Sequence, residues 1–184
     1  MNIVDLERDI KKELRASMNG ILSARMREAG MPFKLIFGVE LPRLQSIAAE
    51  FHKDKDLANH LWQQDIRETK LLAIMLVPPE AFTFEAASNW AETMKTAEEA
   101  QVMAMMLLSK TNVAKEVCLK WLKGGKALLS TCACLCLRHL LIKGTEISSE
   151  ERQVIEECMT KQLPDANLHL RKAILTLKDA INAK

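Results

Sequence analysis

Between Phe37 and Val77 the apolar positions fall at helical spacing three times in succession. Leu44, Ile47, Ala48 and Phe51 share one face of a helix that begins at Pro42, and Leu57, Ala58, Leu61 and Trp62 repeat the spacing one helix later. A third helix, from about Asp65, carries Ile66, Thr69, Leu72, Ala73 and Leu76 on one side, with Arg67, Glu68 and Lys70 elsewhere, until Pro78 and Pro79 stop it. Gly38 and Pro42 mark the turn that leads in. None of these helices can bury its stripe alone, so each needs neighbours alongside.

The same reading extends along the chain. Ile3, Leu6, Ile10 and Leu14 predict a first helix, and Ile21, Leu22 and Met26 a second that stops at Gly30, with a loop from Met31 to Glu40. After Pro79, Phe84, Ala87, Trp90 and Met94 share a face, Thr96 and Glu99 have the spacing of a capping box, and Val102, Met103, Met106 and Leu107 follow. Asn112 is expected to cap a helix with Val113, Val117, Cys118 and Trp121 that closes at Gly124 and Gly125. The stretch from about Ala127 to Ile142 has little polar surface, which makes it the expected central and most buried element. Ser148 and Glu151 form a second capping box, and Asp165 or Asn167 opens a last helix with Leu168, Ala173, Leu175 and Ile181 as packing residues. Ten or eleven short-linked helices predict an all-α fold, an α-solenoid of stacked antiparallel pairs with a repeat of roughly 40 residues, forming one domain over 1–184. A compact orthogonal bundle is the structural alternative.

Composition narrows the classes. Only 6 glycines and 5 prolines among 184 residues leave little room for the turns of an all-β fold. The formal charge of +2 is unevenly spread, because acids predominate up to Glu99 and bases after it. From Lys110 to Lys143 the cations Lys110, Lys115, Lys120, Lys123, Lys126, Arg138 and Lys143 face Glu116 alone, a footprint for an anionic partner. The N-terminus lacks the apolar core of a signal peptide and no run reaches the length of a membrane span, so a cytoplasmic protein with no membrane partner is expected. Cys132, Cys134 and Cys136 on a helix point in different directions and read as buried free thiols, and the four histidines lack ligand spacing, so no metal and no small-molecule cofactor is expected. The ten methionines fill gaps between helices or, alternatively, provide an adaptable peptide-binding face. Gly124-Gly125-Lys126 has neither the spacing nor the preceding strand of a P-loop, and no serine or cysteine sits in a nucleophile elbow.

The FGVELPRLQSIA segment, the HLWQQDIRETKLLAIML segment that follows it, Trp90 after a short helix and RKAIL near the C-terminus together resemble the DNA alkylation repair proteins of the AlkD-like group, the HEAT-like repeat alkylpurine DNA glycosylases. The resemblance covers most of the chain from about Phe37 and implies a solenoid of HEAT-like helix pairs. Active members of the group remove cationic alkylated purines with an aspartate, in a W-D-x-V-D motif, that stabilises positive charge developing on the sugar. The matching stretch is Trp90, Ala91, Glu92, Thr93, Met94, so methionine stands where the essential acid belongs and Glu92 is the nearest carboxylate. An aromatic followed by paired arginines is expected near Leu128 to Ala133 and is missing; in the third motif Lys172 to Ile174 match, while Thr176 replaces the cleft tryptophan and Asp179 the arginine.

The resemblance therefore implies a relative without the group's chemistry. Three readings stay open: a noncatalytic binder of the DNA backbone independent of sequence, a helical scaffold for a protein partner, and a glycosylase with relocated groups that uses Glu92. The DNA-binding candidates are Trp90, Lys123, Lys126, Arg171 and Lys172. Trp90 has a packing reading as well as a cleft reading. Lys123 and Lys126 flank a helix N-terminus whose free amides suit a phosphate, or else they decorate a solvated turn.

Overall fold

The computed structural model describes residues 2–183, and among them the chain forms eleven α-helices and no strand beyond a single parallel bridge between Leu35 and Ile66. Two compact units are present, one ending at Ala81 and the other beginning at Phe82. The first contains α1 (Ile3–Ala16), α2 (Gly20–Glu28), α3 (Leu41–Ala49), α4 (Lys55–Trp62) and α5 (Arg67–Leu76). Its centre is α5, which packs on both α3 and α4 and is buried at every position.

That burial corrects the expectation for Arg67, Glu68 and Lys70, which sequence patterning put away from the packed face. Glu68 is fully buried, and its carboxylate accepts the backbone N–H groups of Phe37 (3.0 Å), Gly38 (2.9 Å) and Val39 (3.3 Å) as well as Arg67 Nη1 (2.8 Å). Arg67 Nη1 also donates to Val39 O at 2.9 Å. The loop from Met31 to Glu40 has little regular hydrogen bonding of its own, and the ion pair supplies it from α5. Lys70 is accommodated with its ammonium 4.0 Å from the centre of the Trp62 ring. Gly38 adopts φ 74, and a Cβ there would lie 2.3 Å from Asn19 O, so both conformation and space demand glycine. Asn19 N donates to Phe37 O and Ser23 Oγ to Ile36 O, which docks the start of α2 on the loop.

The second unit contains α6 (Phe84–Glu92), α7 (Ala97–Val102), α8 (Ala114–Gly124), α9 (Ala127–Ile142), α10 (Ser149–Gln162) and α11 (Leu168–Asn182). Between α7 and α8 the chain continues through a π-helical turn, Met103–Leu107, and a 3₁₀ turn, Leu108–Lys110. The capping boxes Thr96–Glu99 and Ser148–Glu151 form as expected. Asn167 caps α11, whereas α8 begins after Val113 without the expected Asn112 cap. Gly125 ends α8 at φ 67. As expected, α9 is the hub, packing on α7, the π turn, α8 and α11. Its Cys132, Cys134 and Cys136, with Cys118 of α8, are buried free thiols, and burial drives the Cys134 thiol up to about 12. On α11 the core is Leu170, Ala173, Ile174, Leu177 and Ile181; Leu168 and Leu175, expected to pack, face outward.

One ion pair and two hydrogen bonds fix helix directions in this unit. Lys115 bonds Glu151 at 2.9 Å near the starts of α8 and α10, and Gln162 Nε2 donates to Leu122 O at 2.8 Å near their ends, so α8 and α10 run the same way. Arg152 Nη2 reaches Ile181 O, pairing the start of α10 with the end of α11. Each of α9 and α11 returns from a tight connection and runs antiparallel to its predecessor.

Loss of the buried carboxylate should unfold the first unit preferentially. Glu68→Ala strands the Arg67 guanidinium and three amides, with an expected cost of about 3–5 kcal/mol in denaturant unfolding; Gly38→Ala should cost more than about 2 kcal/mol. Wild-type stability for both would mean that the loop is held by other contacts. On α1, Glu7 is held down to about 2 by its hydrogen bond to Lys11, against the opposing effect of burial, with help from His60. A depressed carboxylate stabilises the fold above its unfolded pKa near 4.5 and loses that contribution as pH falls toward 2. After discounting for solvent screening, Glu7→Gln should cost about 1 kcal/mol at pH 7 and nothing near pH 2, as read from urea unfolding at both pH values.

Candidate nucleic-acid interface

Helix α9 is covered on nearly every side, and the line Thr131, Leu135, Arg138, spaced four and three residues apart on one face, runs from buried through half-buried to exposed. That line is one wall of a groove of about 480 Å³. Ala97 and Gln101 of α7 form a second wall, and His169, Lys172, Ala173 and Thr176 of α11 a third. The floor is short and weakly polar, because Thr131 Oγ1 donates to Ala127 O at 2.7 Å and Thr176 Oγ1 to Ala173 O at 3.0 Å, so both hydroxyls are committed to their own helices. The charged lining residues are Arg138 and Lys172, with the His169 imidazole beside them; among the described residues no carboxylate lines the groove.

The sequence candidates fall into two groups. Because α8 and α10 run together, with their ends tied by Gln162 and Leu122, the α8–α9 and α10–α11 corners lie at one end of this unit. Lys123 and Lys126 are exposed on the first corner, Arg171 and Lys172 just past the second, and Lys172 belongs to the groove as well. The first turn of α9 has no side-chain cap, which leaves its amides available beside Lys126. Arg171 reaches back to Leu163 O at 3.3 Å. Trp90 does not join this group: it is 2% exposed, its ring set edge-on to Phe82 at 5.1 Å between centroids, so its packing reading is the one realised. Met94 is buried too, and Glu92 is exposed at the end of α6 without lining the groove.

Two lysines of the basic run have other employment. Lys115 pairs with Glu151, and the Lys120 ammonium sits 4.4 Å from the centre of the Phe84 ring. Toward the other end of α9 the positive field is real: burial first, then the charges of Lys143, Lys110 and Arg138, push the His139 imidazole below its usual range. Sequence reasoning missed Arg138, His169, Thr131 and Gln101 as groove residues. Thr131 and Arg138 were detectable as polar interruptions on one face of an otherwise apolar helix; Gln101 and His169 carried no signal without the packing.

Residues 10–177 match the family described as DNA alkylation repair enzyme. The chain belongs to that family. A solved structure, described as coming from a new family of proteins related to the HEAT-like repeat DNA glycosylases with affinity for branched DNA structures, superposes with a TM-score of 0.76 at 20% identity, covering 95% of this chain and 74% of that one. The fold of this family member is therefore the all-α solenoid of stacked antiparallel HEAT-like pairs that the helix spacing predicts. None of the curated proteins matches it. Among the described residues no helix is long and apolar enough to cross a membrane.

The packing role of Trp90 can be measured directly. Trp90→Ala should cost about 3–5 kcal/mol of stability through lost burial and a residual cavity. A stable variant with impaired DNA binding would return Trp90 to the cleft.

Proposed function

We propose that this DNA alkylation repair family member is a noncatalytic protein that grips the DNA backbone without reading sequence. The observation that carries the reading is the groove across α7, α9 and α11, whose charged lining is cationic throughout. Phosphate contacts from Arg138 and Lys172 provide affinity, and the groove offers no aromatic or forked set of donors for base edges. Lys123, Lys126 and Arg171 extend the cationic surface at the end where α9 and α11 begin. The affinity of the structural relative for branched DNA supports a DNA target of that kind. The family match, which runs from 10 to 177, supports treating 1–184 as one repeat domain.

Base excision of a cationic purine needs an anion fixed beside the sugar, and such groups commonly supply several kcal/mol of transition-state stabilisation. Met94 stands at the motif position of that anion, and Glu92 lies off the groove. No release of alkylated purine is therefore expected; robust release abolished by Glu92→Gln would overturn the noncatalytic reading.

Binding should be salt-sensitive and indifferent to base sequence. With about four phosphate contacts, log K should fall against log salt with a slope near −3.6 on duplex DNA, and Lys123→Ala with Lys126→Ala should lower that slope by about 2. Arg138→Ala with Lys172→Ala should do the same. Slopes unmoved by either pair would place the interface elsewhere, and no binding at low salt would favour a scaffold for a protein partner.

A further inference from the structure

The groove does not end at Arg138. Four residues on, one turn further along the same face of α9, Ile142 is 62% exposed. In the π turn that continues α7, Met105, four residues after Gln101, is 49% exposed, although its neighbours Met103, Ala104 and Leu107 are buried. Two of the three walls thus finish in a solvent-exposed aliphatic side chain. They finish at the same end, because the 3₁₀ turn after the π turn packs on α9 and leads into the start of α8, which lies beside the end of the antiparallel α9. Arg138 and Lys143 lie on either side of Ile142 along the chain, and neither Glu146 nor Asp179 lines the groove.

A π turn is an uncommon deviation that often marks a functional position, and here it carries an exposed methionine directly beyond a groove residue. We propose that Met105 and Ile142 form an apolar wedge that covers the open base-pair face at a branch point in DNA, while Arg138 and Lys172 hold the adjoining backbone; this rests on the DNA-binding reading above. Methionine and isoleucine are among the side chains that proteins insert at base steps, and doing so in an intact duplex costs a few kcal/mol of unstacking. At a branch the stack is already open, so the same contact is made without that cost. Positive charge on either side of Ile142 suits a base-pair face framed by phosphates. The wedge thus provides discrimination by DNA form where the groove provides affinity.

The test uses the full chain with Met105→Ser and Ile142→Ser combined, positions exposed enough to leave folding intact, which a thermal melt would verify. The probes are a three-way junction and a linear duplex of the same sequence with hairpin-closed ends, the junction carrying 2-aminopurine at the branch. Wild type is expected to prefer the junction by about tenfold or more and to change the 2-aminopurine fluorescence on binding. The double variant should bind the linear duplex as wild type does, lose most of the junction preference and leave the fluorescence unchanged. Equal wild-type binding to both probes, or an undiminished preference in the variant, would overturn the wedge while leaving the DNA-binding reading intact. Equal weakening on both probes would also overturn it, showing a general contact. Failure of wild type to bind either probe at low salt would remove both proposals together.

Discussion

An apolar helix of four turns has to be surrounded, and in the second unit that requirement on α9 organises everything else. Helices α7, α8 and α11 are placed by the need to cover it, and the capping boxes, the Gly125 turn and the bond between Gln162 and Leu122 set where each cover begins and ends. Three elements cannot close completely around a fourth. The face left least covered runs through Leu135 to Arg138, and the groove is the space between the covering helices along it. The candidate interface is thus a by-product of core packing, furnished with cations where it meets solvent.

The elements themselves were largely legible from spacing, because helix existence depends on apolar periodicity and on local start and stop signals that the sequence carries in full. Thr96, Ser148 and Gly125 all act where their chemistry predicts. Patterning failed where a charged residue is buried by partners distant in sequence: nothing near Glu68 signals that its carboxylate serves amides of Phe37, Gly38 and Val39. It failed also at Leu168 and Leu175, which have the right spacing on an end helix whose outer side is left to solvent. The candidate site was half legible. Net charge pointed to Lys123, Lys126, Arg171 and Lys172, but the groove itself depends on the lateral order of α7, α9 and α11, which no local pattern encodes.

Membership in a repair family and absence of the family's acid are compatible in physical terms. Holding a polyanion requires only cations and a shape; breaking a glycosidic bond requires in addition one negative charge in a fixed place. At the acid's motif position stands Met94, a buried side chain outside the groove.

The Glu68 carboxylate has a bearing on how the first unit assembles. The loop it holds lies some thirty positions upstream, whereas its counter-ion Arg67 is the adjacent residue. Helix and ion pair are thus local, but the loop's shape is borrowed: Gly38 can settle into its left-handed turn against Asn19 only when α5 already presents the acceptor. With Phe33, Ile36, Phe37 and Val39 of the segment from Met31 to Glu40 buried, the loop's amides are shielded by the same packing that buries α5, so their protection against solvent exchange depends on α5 staying in place.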